Sequence, residues 1–159
     1  MLIYRISQTK YASSLTASGV DGRWNLFGQK VIYTAGSVAL ACLENLAHRS
    51  GTSLAAGNFS LSVIEVEDGL KIEEVKTEDL VSANPKWQSV ENYPLTQKLG
   101  SDWLNRNSSA ILKVPSAIID LEYNYLLNLN HPDFTKIKVA VVNKFAFDPR
   151  LKSNPGKLC

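Results

Sequence analysis

The chain has 159 residues, 45% of them hydrophobic, and a net charge of +2. That length suits one domain, 1–159, which hides roughly two thirds of its extended surface on folding. So small a charge argues against direct nucleic-acid binding, which shows as a clustered basic face.

Cys42 sits in an apolar run and Cys159 at the last position. Two such cysteines give no framework of bridges and no metal-ligand spacing, which fits a reducing compartment. The opening MLIYRISQTKYASSL lacks the apolar core of a signal peptide, and no stretch is long enough to span a bilayer. A soluble, cytoplasmic protein with no membrane contact and no metal is expected.

In chain order, Leu2 to Ile6 reads as a short strand, and so does Gln29 to Thr34. The polar, glycine-bearing stretch from Ser13 to Gly28 between them is too long for a mere connector and long enough to wrap a ligand. Gly36 and Ser37 signal a helix start, and the apolar positions Val38, Leu40, Ala41, Leu43, Leu46 and Ala47 support helical burial to about His48. Glu44 therefore stands among apolar neighbours, which is costly unless its carboxylate meets a partner or faces a cavity.

Phe59, Leu61, Val63 and Ile64 predict a strand running into EVEDGLKIEEVKTED, where residues 65–80 carry seven acidic and two basic groups. That stretch reads as a solvated hairpin or loop face. Asn84 to Pro94 is read as irregular, Thr96 to Asn105 as a helix, and Ala110 to Val114, Tyr123 to Leu127 and Lys138 to Phe147 as strands. The pattern predicts an α+β domain of many short strands and two principal helices, without repeats or linkers.

Four short motifs offer what a nucleotide pocket needs. In Gly22-Arg23-Trp24-Asn25 the guanidinium can grip a pyrophosphate with parallel bonds, and a nearby glycine lets the backbone approach a ligand. The competing reading of Arg23 is a surface ion pair, and Trp24 reads as core or pocket wall. In Val31-Ile32-Tyr33 the phenol can cover a base or pyridine, or serve as a half-buried structural tyrosine. Glu44 can stabilise developing positive charge, or pair with Arg49 or another cation. In Val114-Pro115-Ser116-Ala117 no glycine pair makes a nucleophile elbow, so Ser116 reads as a positioning hydroxyl. Asn124 and Asn128 flank Tyr125-Leu126-Leu127 and can fix the backbone around the site. His48 and His131 have no companion at ligand spacing. No GxGxxG or GxxxxGK[ST] occurs, so a bound NAD would be substrate rather than cofactor.

These motifs, with VIYTAGSVALACLENLAH, LKVPSAIIDLEYNYLLNLNHPDF and a closing FDPRL, resemble the RES domain, named for an Arg, a Glu and a Ser. The resemblance spans nearly the whole chain and implies an ADP-ribosyltransferase-like fold. It implies a bacterial toxin that degrades NAD by cleaving the nicotinamide–ribose bond with water or phosphate, as a glycohydrolase or phosphorylase, with Arg23, Tyr33, Glu44 and Ser116 as catalytic residues. Arg23, Trp24, Asn25, Tyr33, Asn124 and Asn128 would contact NAD, with no separate cofactor. It also implies a cognate helix-turn-helix antitoxin and allows a dimer within their complex. Leu129 stands where relatives often carry proline. Transfer of ADP-ribose to a protein uses the same bond, and a non-enzymatic nucleotide-binding module would show binding without turnover; neither is separated by these residues. A serine hydrolase is disfavoured because no histidine is linked to Ser116.

Overall fold

Alternation of side chains along one central strand organises the molecule. In a computed structural model describing residues 1–152, β2 (Val31–Ala35) buries four of its five residues and leaves Tyr33 exposed. On one sheet face Ile32 joins Ile3, Ile64, Ile111, Leu127 and Ile137 in a core cluster. On the other face, because side chains alternate, Val31, Tyr33 and Ala35 stand in a row. Val31 packs with Trp24, Trp87, Trp103, Leu112 and Leu126. Ala35 packs with Ile6, Leu40, Ala41 and Phe59.

The sheet has seven strands. β1 (Leu2–Gln8), β2, β3 (Phe59–Val66), β4 (Ile72–Glu74), β5 (Ile111–Pro115), β6 (Tyr123–Asn128) and β7 (Ile137–Phe145) lie in the order β4-β5-β6-β2-β1-β3-β7. Every pairing is antiparallel except β4 with β5. Four helices complete the described residues: α1 (Val38–His48), α2 (Gly51–Ala56), α3 (Thr77–Ala83) and α4 (Tyr93–Arg106). The expected α+β architecture with two principal helices is what the structure has, α1 and α4 being the long ones.

α1 begins where the sequence places it, because the Ser37 Oγ accepts from the Leu40 N–H at 3.0 Å and satisfies one of the orphan donors of the first turn. The same hydroxyl donates to the Glu122 Oε2 at 2.5 Å, which ties the helix start to the entry of β6. α4 ends at Asn107, whose left-handed φ of 48° closes the helix.

Two expectations are corrected. The acidic stretch is not merely a hairpin or loop face: after a turn at Gly69 it supplies β4 and then α3. The segment read as irregular to Pro94 ends earlier, since Pro94 lies inside the first turn of α4, where its missing N–H costs nothing. Cys159 lies outside the described residues. No helix among those residues is long and apolar enough to cross a membrane.

Candidate functional site

Tyr33 lies between the α1 cluster and the α4 cluster on one face of the sheet and is 37% exposed. Its hydroxyl end is inside the protein: it donates to Asn25 Oδ1 at 2.6 Å and accepts from the Trp24 N–H at 3.0 Å. Burial pushes the phenol well above its ordinary value, against the Trp24 N–H, which pulls it down. Tyr93 and the Glu44 carboxylate add to the rise, while the Arg23 guanidinium opposes it. Arg23, Glu44 and Tyr93 therefore each lie near enough to the Tyr33 hydroxyl to act on it electrostatically.

The Ser13 to Gly28 loop is built around Asn25. Its side-chain amide donates to the carbonyls of Val20, Leu26 and Gln29 at 2.9, 3.1 and 3.3 Å. The loop closes where the Gly28 N–H meets the Gly19 carbonyl at 2.8 Å, both glycines having positive φ. Gly22 has a structural use besides the expected approach to a ligand. A Cβ there would stand 2.7 Å from the Tyr33 hydroxyl, so the missing side chain is what admits the phenol.

Arg23 is not in a surface ion pair; among the described residues no carboxylate pairs with it. Its Nη1 donates to the Trp87 carbonyl at 3.2 Å and its Nη2 to the Gln88 carbonyl at 2.7 Å. The Tyr93 ring lies 4.6 Å from its Cζ and the Trp87 ring 5.9 Å. The positive charge is thus held in place without being neutralised, the condition in which a guanidinium can still attract an anion.

Glu44 follows Leu40 and Ala41 by one turn of α1, so it borders the stripe that packs on the sheet. Its side chain is 27% exposed and its Oε2 lies 3.6 Å from the His48 Nε2. The partner expected in Arg49 is elsewhere: the Arg49 Nε donates to Asn45 Oδ1 at 3.2 Å. Cys42, two residues earlier, has its thiol pushed up by burial.

The remaining candidates have structural positions. Trp24, expected to contact NAD, is 3% exposed and packs in the α4 cluster. Asn25 is 1% exposed and acts through the loop rather than at the surface. Ser116, 1% exposed, accepts from the N–H groups of Ile118 and Ile119 at 3.0 and 3.1 Å. Its oxygen shapes the turn leading to Glu122, the residue bonded to the cap of α1, and is not presented as an orienting hydroxyl. Asn124 shares the Tyr33 face and donates to the Thr34 carbonyl at 3.3 Å. Asn128 donates to Asn107 Oδ1 at 2.8 Å and accepts from the Asn130 N–H at 3.0 Å, fastening two loops. The Tyr33 hydroxyl is bonded to the Arg23 loop at Trp24 and Asn25, and Glu44 on α1 acts on it electrostatically; Ser116, Asn124 and Asn128 instead fix turns and strands elsewhere on the sheet. Among the described residues no group of three or more histidine, cysteine, aspartate or glutamate side chains is placed to hold a metal ion.

Sequence reasoning missed the contribution of α4. Thr96 donates to the Arg23 carbonyl at 2.6 Å and Gln97 to the Gly22 carbonyl at 2.9 Å. A Cβ at Gly100 would fall 1.8 Å from the Trp24 carbonyl oxygen, so helix and loop touch backbone to backbone. The available signal was Gly100 itself, since a glycine inside a helical pattern points to close packing.

The chain is similar to Toxin Res of Yersinia enterocolitica, with 40% identity over 157 residues, 96% of this chain and 100% of that protein. It is similar to the Prs ADP-ribosylating toxin of a Sphingobium species, with 32% identity over 91% of each. Its fold matches a chain of the M. tuberculosis MbcT-MbcA toxin-antitoxin complex with a TM-score of 0.72 at 17% identity, covering 94% of this chain and 85% of that one. The RES domain family model matches residues 2–149, and the chain belongs to the RES domain family and, with it, to a group of toxins.

Proposed function

We propose that this chain is a cytoplasmic toxin that consumes NAD by breaking the bond between nicotinamide and ribose. The observation that supports this reading best is the Arg23 guanidinium, held by the Trp87 and Gln88 carbonyls with no carboxylate partner among the described residues, on the loop that the Tyr33 hydroxyl fastens through the Trp24 N–H. Arg23 would anchor the pyrophosphate with the N–H groups it does not spend on carbonyls. The exposed Tyr33 ring would pack against the nicotinamide ribose end. Glu44 would stabilise the positive charge that develops on the ribose as the bond lengthens. The bonding pair leaves with the nicotinamide nitrogen and cancels its charge. An oxygen of water or phosphate then bonds to the ribose carbon, and water gives up a proton as it does so. Ser116 would act through the turn it organises beside α1.

A second reading is transfer of ADP-ribose to a protein, favoured by the name of the Sphingobium relative, which covers 91% of this chain. It differs only in the acceptor. Incubating the purified chain with NAD, with and without phosphate, distinguishes the two: free nicotinamide with ADP-ribose or its phosphate is expected, and labelled protein in its place would favour transfer. Nicotinamide release absent under all conditions would overturn both.

The likeness to a chain of a toxin-antitoxin complex supports a partner that silences this site. We assign that role to a helix-turn-helix antitoxin seated over the groove between the Ser13 to Gly28 loop and α1. DNA contact would then fall to the partner, since this chain carries a net charge of only +2.

A further inference from the structure

One stripe of α4 is fitted to the Arg23 loop. Tyr93, Thr96, Gln97 and Gly100 are spaced as neighbours on one helix face, and the last three fix the backbone of Gly22, Arg23 and Trp24. Tyr93, at the start of this stripe, meets the Arg23 side chain, with its ring 4.6 Å from the Cζ.

The guanidinium is a flat group with five N–H donors. Two are spent on the consecutive carbonyls of Trp87 and Gln88, which fix the group within its plane. Carbonyls on one edge do not stop the plane from rocking about that edge. The Tyr93 ring, with the Arg23 Cζ over it at 4.6 Å, adds a hold outside that edge, because a cation is attracted to a π-face. Gripping a phosphoryl group takes two parallel N–H bonds from a second edge, and a tilt of the plane weakens both at once.

We propose that Tyr93 is a positioning residue for anion capture, setting the tilt of the Arg23 guanidinium so that its unspent edge is aimed at a pyrophosphate. The inference rests on the reading of the site as one for NAD and adds to it a residue in α4. Tyr93 touches Arg23, not the substrate, so it governs how tightly phosphate is held and not the breaking of the glycosidic bond.

The test compares Tyr93→Leu and Tyr93→Phe with the parent, using calorimetric titration of ADP-ribose and steady-state turnover of NAD. Leucine keeps bulk and removes the π-face. Its ADP-ribose affinity should fall by about tenfold, the range for such contacts being roughly 2-fold to 30-fold, and KM for NAD should rise in step while kcat stays within about twofold. Phenylalanine should restore most of the affinity. Inhibition by nicotinamide, which carries no phosphate, should not move. Should the leucine variant fail to fold, Tyr93→Met carries the same test. Parental ADP-ribose affinity in the leucine variant, or an equal loss for ADP-ribose and nicotinamide, overturns the proposal and leaves the NAD reading standing. A parent that neither binds ADP-ribose nor cleaves NAD overturns the NAD reading, and this inference with it.

Discussion

Tyr33→Phe removes one oxygen and separates two functions of this residue, the ring at the surface and the hydroxyl inside. The ring stays. The Trp24 N–H loses its acceptor at 3.0 Å, and Asn25 Oδ1 loses its donor at 2.6 Å. Asn25 is buried, so its oxygen cannot turn to solvent for compensation. A buried polar group left without a partner costs about 1–3 kcal/mol, and the partial exposure nearby places the sum near 2 kcal/mol. For a chain of this size 1 kcal/mol corresponds to roughly 2–4 °C, so Tm should fall by about 4–8 °C. The Trp24 amide should exchange its hydrogen about 30-fold faster, the factor equivalent to about 2 kcal/mol. Because burial raises the phenol above its ordinary value, the hydroxyl keeps its proton and both effects should be the same at pH 6 and pH 8. NAD turnover should fall through a loosened Arg23, by a rise in KM. An unchanged Tm together with unchanged protection of the Trp24 amide would refute the assignment of this hydroxyl as the clasp of the loop.

Glu44→Gln keeps the shape and removes the charge; kcat for NAD loss should drop by about 100-fold to 1,000-fold at an unchanged Tm, and turnover within a few fold of the parent would remove Glu44 from the chemistry. Gly100→Ala forces a methyl group against the Trp24 carbonyl oxygen and should cost about 1–3 kcal/mol or more, read by urea denaturation; a neutral result would mean that α4 can shift away from the loop. Glu73 is desolvated, which alone would raise its pKa, but hydrogen bonds from Ser108 and Arg106 and the charge of Lys71 outweigh this and hold it below the ordinary carboxylate value. Its stabilising contribution is therefore complete above that ordinary value and is lost as pH falls through the lowered one. Glu73→Gln should destabilise by about 1 kcal/mol at pH 7 and by nothing measurable near pH 2, and equal losses at both would contradict the pairing.

What the sequence made legible was local. β2 and α1 were readable because Val31, Ile32 and Tyr33 follow the period of a strand and Ser37 precedes a helical apolar stripe. α3 was not, since Lys76 offers no side-chain cap and Leu80 is its only buried residue. β4 has three residues and exists because it lies parallel to β5, almost forty residues further on. The same division holds at the site. Arg23, Tyr33 and Glu44 were marked by their motifs. The carbonyls that hold Arg23, the Thr96 and Gln97 bonds and the room Gly22 leaves for the Tyr33 hydroxyl depend on pairings that no spacing within one segment reveals. Ser116 was read as a hydroxyl that orients a substrate, whereas the groups it holds in the structure are the N–H donors of its own turn.

The closure of the loop at Gly19 and Gly28 makes recognition and chemistry separable. Asn25 gathers the loop through the main-chain carbonyls of Val20, Leu26 and Gln29, so the side chains at positions 20, 26 and 27 hold nothing together. Val20, Leu26 and Phe27 are exposed, Phe27 at 82%. Their identity can drift, and the outer contour that another protein would meet can be rewritten, without altering the path of the chain through Arg23. A loop of this construction can change its outer surface and keep its inner course.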